Sequence, residues 1–190
     1  MTRDLMYKDE VQQLVADAYE DLNEPDGPAT GLYATEQLLR LPEPARRWAL
    51  GVGNPVPSAQ LRPGEDVVDL GCGAGVDALL AGMEVGPTGR VTGVDILASM
   101  TGRGAELADE AGLDNVSFVT CEMEDLPLPD DAADVAISNG SINLSARKSR
   151  VLAEAARVLR PGGRLAVSDL TIREEELPAE VITHPSAWAG

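Results

Sequence analysis

The chain has 190 residues, 44% of them hydrophobic and only 3% aromatic, which predicts one folded domain with an aliphatic core. A formal charge of -17, from 32 acidic and 15 basic residues, repels phosphate backbones and makes nucleic acid an unexpected partner. No apolar run approaches the roughly 20 residues that cross a bilayer, so no membrane partner is expected either. Two cysteines and no signal-peptide pattern favour the cytoplasm.

The acidic charge is dispersed along the chain, and only Lys8 and Lys148 are lysines. Two interpretations stay open. One is adaptation to a cytosol of high salt, where screening removes the self-repulsion of the acids. The other is an acidic protein encoded by GC-rich codons, which favour arginine over lysine.

The N-terminal part is predicted to be helical. Apolar residues recur at helical spacing over 7–22, a polar loop follows, and a second helix is expected over about 35–50. Proline and glycine then recur from Gly51 to Gly64 and mark a boundary. We therefore expect a helical extension over 1–60 and a cofactor-binding domain over 61–190.

From residue 65 onward, strands alternate with helices. This alternation predicts a doubly wound α/β domain with a mainly parallel sheet and right-handed crossovers, in the strand order 3-2-1-4-5. The expected strands cover 66–70, 90–95, 116–120, 133–138 and 164–170. The expected helices cover 74–84, 99–111 and 145–159, with Ser145 capping the last.

A glycine-rich turn follows the first strand and predicts a ligand site. It contains Gly71, Cys72, Gly73 and Gly75, so its spacing is GxGxG instead of the GxGxxG that binds a dinucleotide pyrophosphate. Asp69 opens the motif, and its carboxylate suits the sulfonium and ammonium groups of S-adenosylmethionine. The spacing therefore favours S-adenosylmethionine over NAD.

The ends of the other strands supply further candidate contacts. Asp95, with Ile96 beside it, ends the second strand, where a carboxylate accepts hydrogen bonds from ribose hydroxyls. Glu122 and Met123 follow the third strand and are expected beside the adenine. Asn139 ends the fourth strand, where its backbone carbonyl is expected to bind the methionine ammonium.

These motifs resemble the class I S-adenosylmethionine-dependent methyltransferases in order and spacing, and the chain is most similar to the arsenite methyltransferase family over roughly 30–190. The resemblance implies a Rossmann-like fold, S-adenosylmethionine as cofactor with S-adenosylhomocysteine as product, and a small-molecule or metalloid acceptor. It is carried by the segments 50–55, 67–75, 86–95, 122–127, 137–145 and 159–165.

The cysteines that the arsenite family implies are absent. Val52, Ala78 and Gly140 stand at positions where relatives carry cysteine, and a further family cysteine would follow Gly190. Arsenic(III) prefers soft thiolate ligands, so we expect no efficient arsenite methylation. Cys72 and Cys121 are expected too far apart to share an ion, and no metal site is predicted.

Methyl transfer is an in-line displacement that needs positioning and water exclusion more than a dedicated base, so no catalytic residue is assigned. Candidates around the acceptor are Tyr33, Asn54, Ser141 and Asn143, with Tyr33 able to shield the sulfonium by a cation–π contact. The alternative is a non-catalytic S-adenosylmethionine-binding module, such as a truncated paralogue that works with a partner.

The resemblance also implies two further strands after the fifth. The residues after Leu170 include Glu174–Glu176, Pro178 and Pro185 and show no alternating apolar run, so strands six and seven are expected to be missing. An uncovered fifth strand would invite pairing with another chain. We therefore expect either a homodimer through this edge or an unusually unstable domain.

Overall fold

The fold was obtained as a computed structural model, which describes residues 10, 13–19 and 29–171. Its centre is a parallel sheet of five strands in the order β3-β2-β1-β4-β5, which confirms the predicted order. The strands are β1 (Asp66–Leu70), β2 (Arg90–Asp95), β3 (Val116–Thr120), β4 (Ala133–Asn139) and β5 (Leu159–Ser168).

Helices cover both faces of the sheet. Along β1, Val67 packs into one apolar cluster and Val68 and Leu70 pack into another, as the alternation of a strand between two layers requires. The helices are α1 (Thr35–Arg40), α2 (Glu43–Arg46), α3 (Pro55–Ala59), α4 (Val76–Val85), α5 (Ala98–Ala111) and α6 (Lys148–Val158). Short 3-10 helices cover Ala29–Leu32 and Ile142–Leu144.

Three predicted elements differ most from the structure. The helix expected over 35–50 divides into α1 and α2 because Pro42 cannot continue a helix and begins the next one instead. The helix expected from Ser145 begins at Lys148, since the Ser145 hydroxyl accepts from the Arg147 N–H in a tight turn before it. The fifth strand begins five residues before the predicted start, and its pairing register with β4 shifts between Ala133 and Val135.

One aromatic ring fills a space left by three glycines. Phe118 on β3 lies beside Gly75, Gly93 and Gly104, which come from the glycine-rich turn, β2 and α5. An ideal Cβ at these positions would lie 2.5, 2.8 and 2.6 Å from ring atoms. The backbones of three elements thus approach one another closely around this ring.

The segment before the sheet shares its core. Tyr33, Trp48 and Val56 belong to the same apolar cluster as Leu79 and Val91. Residues 13–19 are helical, which agrees with the first predicted helix over the part that is described. The boundary at residue 60 stays a prediction, and it does not separate two cores within the described residues.

The prediction that strands six and seven are missing falls on residues that the structure does not describe. Residues 172–190, where no further strand is expected, are not among the described residues. Among the residues that the structure describes, β5 is an edge strand of the sheet. Within the described ranges, no helix is both long and apolar enough to cross a membrane.

Candidate cofactor site

A cavity opens at the carboxyl ends of the central strands, which is the usual ligand position in a doubly wound sheet. Its empty volume is about 1080 Å³, part of it continuous with solvent. The cofactor-binding candidates that line it are Asp69, Gly71, Cys72, Gly73, Asp95, Ile96, Glu122, Met123 and Asn139. Sequence analysis predicted these residues from separate strand ends, and the fold brings them to one place.

The glycine-rich turn forms the floor of the cavity. Gly71, Gly73 and Gly75 all have left-handed φ values, of 67°, 52° and 85°, which residues with a Cβ rarely adopt. Gly75 does not line the cavity; it lies against Phe118 and begins α4. The Gly73 N–H donates to the Asp95 carboxylate at 2.9 Å, so the turn is fixed to the end of β2.

Asp95 is positioned to accept further hydrogen bonds. Its second oxygen accepts the Leu97 N–H at 3.0 Å, and the Ile96 N–H also donates to this carboxylate. Three donors leave part of the acceptor capacity of the carboxylate available to a ligand. Burial raises its pKa, and backbone hydrogen bonds oppose that rise. This arrangement fits a carboxylate that binds ribose hydroxyls.

Asp69 is almost completely buried, with 1% of its surface exposed. Burial raises the pKa of this carboxyl well above its usual range, and the negative charges of Asp77 and Asp95 add to the effect. The Ala78 N–H donates to it, but its Oδ2 atom is buried without a hydrogen-bond partner. A buried carboxylate oxygen without a donor suits a cationic ligand.

Asp77 is a site residue that sequence analysis missed. It lies in the first turn of α4 and accepts from the Tyr33 hydroxyl at 3.1 Å and from Asn139 Nδ2 at 2.9 Å. Burial raises its pKa to about 6, against the hydrogen bonds from Asn139 and Tyr33. The signal available in the sequence is a carboxylate two residues after the glycine-rich turn, at a position that the helical pattern alone does not distinguish.

The side chain of Asn139 joins the N-terminal segment to the sheet. Its Oδ1 accepts the N–H groups of Val52 and Gly53 at 2.9 and 3.0 Å, and its Nδ2 donates to the Gly53 carbonyl at 2.9 Å. A Cβ on Gly51 would lie 2.1 Å from this amide. The predicted contact of the Asn139 backbone carbonyl with the ammonium stays a prediction, and the side-chain amide makes the contacts described here.

The third predicted strand end carries an additional polar pair. Glu122 and Met123 line the cavity as expected. Glu124 is buried and accepts a hydrogen bond from the Ser145 hydroxyl at 2.5 Å. Glu124 and Ser145 both line the cavity. Sequence analysis missed this pair because the two residues lie 21 positions apart.

Of the four acceptor-site candidates, Tyr33 and Ser141 line the cavity, whereas Asn54 and Asn143 do not. The Ser141 hydroxyl donates to the Leu70 carbonyl at 2.6 Å. Asn54 precedes α3 and donates to Gln37 at 2.7 Å. Asn143 donates to the Asp169 carboxylate at 2.9 Å.

Two of the positions at which relatives carry cysteine lie side by side. An ideal Cβ on Gly140 would lie 3.4 Å from a methyl group of Val52. Ala78 is fully buried in the apolar core and does not line the cavity. Both Cys72 and Cys121 are free, and burial raises the pKa of each thiol. Within the described residues, no group of three or more His, Cys, Asp or Glu side chains could hold a metal ion.

A family model described as a methyltransferase domain matches residues 61–189. The chain belongs to the methyltransferase domain family. Members of this kind use S-adenosylmethionine, and the acidic cavity and glycine-rich turn of this methyltransferase domain fit that cofactor.

Individual relatives agree with this assignment. Over 141 residues, the domain is 43% identical to an arsenite methyltransferase from Halobacterium salinarum, covering 74% of this chain and 36% of the relative. It is 38% identical over 111 residues to a demethylmenaquinone methyltransferase from Listeria welshimeri, covering 58% of this chain and 47% of that protein. The chain thus spans less than half the length of either curated relative.

A solved structure supports the fold. The crystal structure of an arsenic(III) S-adenosylmethionine methyltransferase from Chlamydomonas reinhardtii superposes with a TM-score of 0.70 at 36% sequence identity. The match covers 85% of this chain and 55% of that one. The relatives' names give two different acceptor classes, a metalloid and a quinone, so the likeness by itself does not fix the acceptor of this methyltransferase domain.

Proposed function

We propose that this chain catalyses methyl transfer from S-adenosylmethionine to a small molecule. The observation that carries the proposal is the cavity at the strand ends, where Asp69, Asp77 and Asp95 converge on the glycine-rich turn. Incubation with S-adenosylmethionine and a panel of thiol, amine, phenol, quinone and metalloid acceptors tests it, with S-adenosylhomocysteine formation as the readout. Binding without turnover on any acceptor would favour the alternative, a cofactor-binding module that works with a partner.

The residues of this chain have separable roles in that reaction. When bound, S-adenosylmethionine supplies a methyl group on a positively charged sulfur. Asp95 would hold the ribose, and Ile96, Glu122 and Met123 would contact the adenine. Tyr33, Asp77 and Asn139 form one hydrogen-bonded group at the methionine end, so they would orient the methyl group and keep water from it.

We further propose that arsenite is not an efficient acceptor. The facing positions Val52 and Gly140 present methyl groups and backbone where thiolates would be needed to hold arsenic(III). Incubation with arsenite and S-adenosylmethionine, followed by chromatography with arsenic-specific detection, is expected to show no methylated arsenic above the enzyme-free control. Methylated arsenic formed at enzymatic rates would contradict this proposal.

The edge of β5 supports a homodimer. Leu165 and Val167 are 38% and 44% exposed on this edge strand, and Leu170 just beyond it is 57% exposed. Light scattering is expected to give the mass of a dimer, and Val167→Lys is expected to shift it to a monomer. A monomer in the wild type would refute the dimer. The cytoplasmic location expected from the sequence also stays a prediction.

A further inference from the structure

The segment that follows β3 carries the two residues proposed to contact the adenine, Glu122 and Met123, and both line the cavity. From residue 122 to residue 131 it contains several carboxylates and no basic residue, so its charges repel one another. Pro127 and Pro129 lack the backbone N–H that a strand or a helix would use. This segment therefore needs groups from another element to hold its conformation.

Two side chains of α6, one turn apart on the same face of the helix, bind the backbone of this segment. Glu154 Oε2 accepts the Leu126 N–H at 3.0 Å. Arg157 donates to the carbonyl groups of Leu126 and Leu128 at 3.0 and 2.8 Å. The guanidinium of Arg157 also donates to the Glu154 carboxylate at 2.7 and 3.0 Å and to Asp130 at 2.9 Å. Both backbone groups of Leu126 are therefore held by α6, and Arg157 supplies the cation that the segment lacks.

The part of the segment that α6 holds is buried. Leu126 and Glu154 are each 4% exposed, and Leu126 packs in one apolar cluster with Val151 and Val158 of α6. A buried carboxylate keeps the geometry in which it is paired, because any other geometry leaves its charge without a partner. Since Leu126 follows Met123 closely in the chain, the contact with α6 lies next to the part of the segment that lines the cavity.

We propose that Glu154 and Arg157 are positioning residues that make the cavity specific for adenine. The proposal rests on the function proposed above, in which Glu122 and Met123 contact the base. Neither Glu154 nor Arg157 lines the cavity, so the pair acts on the base only through the segment that it holds. A site with fixed hydrogen-bonding groups rejects an analogue that leaves those groups unpaired, and this rejection weakens when the groups can move.

Isothermal titration calorimetry with S-adenosylhomocysteine and S-inosylhomocysteine tests the proposal, because the two ligands differ only in the purine, where a 6-oxo group replaces the 6-amino group. The wild type is expected to bind the adenine ligand at least about tenfold more tightly than the hypoxanthine ligand. Arg157→Lys keeps the charge but loses the planar fork that binds two carbonyl groups and a carboxylate. This variant should lower the ratio of the two affinities at least about threefold.

Arg164→Lys is the matched control. Arg164 donates to the Glu65 carboxylate at 2.7 and 2.8 Å. It also donates to the carbonyl groups of Ala59 and Gln60, and it does not line the cavity. Urea denaturation should show a lower free energy of unfolding in both variants, whereas only Arg157→Lys should lower the ratio of the two affinities.

A merely structural role of Glu154 and Arg157 would give a different result. Arg157→Lys would then weaken the binding of both ligands equally and leave the ratio as in the wild type, which would overturn the proposal. If this variant does not fold, Glu154→Gln, which keeps the shape and removes the charge, decides by the same ratio. Equal affinities of the wild type for both ligands would overturn the adenine specificity alone. Binding of neither ligand would overturn the proposed function as well.

Discussion

Asn139 Nδ2 lies 2.9 Å from the Asp77 carboxylate, so one hydrogen bond connects the end of β4 with the first turn of α4 in the wall of the cavity. The same amide accepts two N–H groups from the Val52–Gly53 segment. A single side chain therefore holds the N-terminal segment, the sheet and the glycine-rich turn's helix in one arrangement. The predictions that follow depend on this arrangement.

Replacing Asn139 by Ala is expected to lower the free energy of unfolding by about 2–4 kcal/mol, because several part-buried backbone and side-chain groups lose their partner. It should also weaken S-adenosylmethionine binding. Asn115→Ala is the matched control, since Asn115 Nδ2 donates to the carbonyls of Gly82 and Gly86 away from the cavity. Chemical denaturation and calorimetry should show destabilisation in both variants and a loss of affinity in Asn139→Ala alone.

Asp95→Ala is expected to weaken S-adenosylmethionine binding by about 1.5–3 kcal/mol, the usual scale for a hydrogen bond to a charged group. The substitution removes the proposed ribose acceptor and also removes the hydrogen-bond partner of the Gly73 N–H. Calorimetric titration measures the effect. An unchanged affinity would remove Asp95 from the cofactor site.

The pH dependence of stability should change in Asp77→Asn. The pKa of Asp77 is raised to about 6 in the folded chain from 3.8, so the folded state holds its proton over a pH range in which the unfolded chain has lost it. The stability associated with this carboxyl is therefore present below about pH 4 and lost as the pH rises to about 6. At pH 7.5 without ligand, the variant should be more stable than the wild type by about 1–3 kcal/mol.

The check is urea denaturation of both proteins between pH 4 and 8. The two curves of unfolding free energy should separate as the pH rises through this range. A variant that is less stable than the wild type at pH 7.5 would show that the hydrogen bonds to Tyr33 and Asn139 outweigh the cost of burying the charge.

Salt is expected to stabilise the chain beyond the range of ordinary screening. Glu106, Asp109 and Glu110 are exposed on α5 at spacings where like charges repel, and the whole chain carries a formal charge of -17. The melting temperature should continue to rise with KCl between about 0.2 M and 2 M, although the Debye length is already below about 8 Å at the lower concentration. A flat profile would indicate that the acidity is only compositional.

The sequence pattern predicted the first three strands of the sheet correctly. The bounds of β1, β2 and β3 agree with prediction, because each is a short strand-forming run between loop residues. The prediction of one helix over 35–50 was wrong because apolar residues recur on both sides of Pro42, whereas the proline itself separates α1 from α2.

In the candidate cofactor site, the residues at strand ends could be predicted from the sequence, whereas the side-chain pairs could not. Asp69 and Asp95 were predictable since strand ends meet at one edge of a parallel sheet. The partnership of Asp77 with Tyr33, and of Glu124 with Ser145, joins residues 44 and 21 positions apart. No spacing in the sequence encodes such contacts, because the packing of the helices on the sheet determines them.

Phe118 limits which side chains its glycine neighbours can be replaced by. It is the only phenylalanine in the chain, and its ring occupies the volume that side chains at Gly93 and Gly104 would need. Alanine at either position becomes compatible with the fold only if residue 118 becomes smaller, so the effects of these substitutions are not additive. Across natural variants, positions 93, 104 and 118 should therefore change together or remain fixed together.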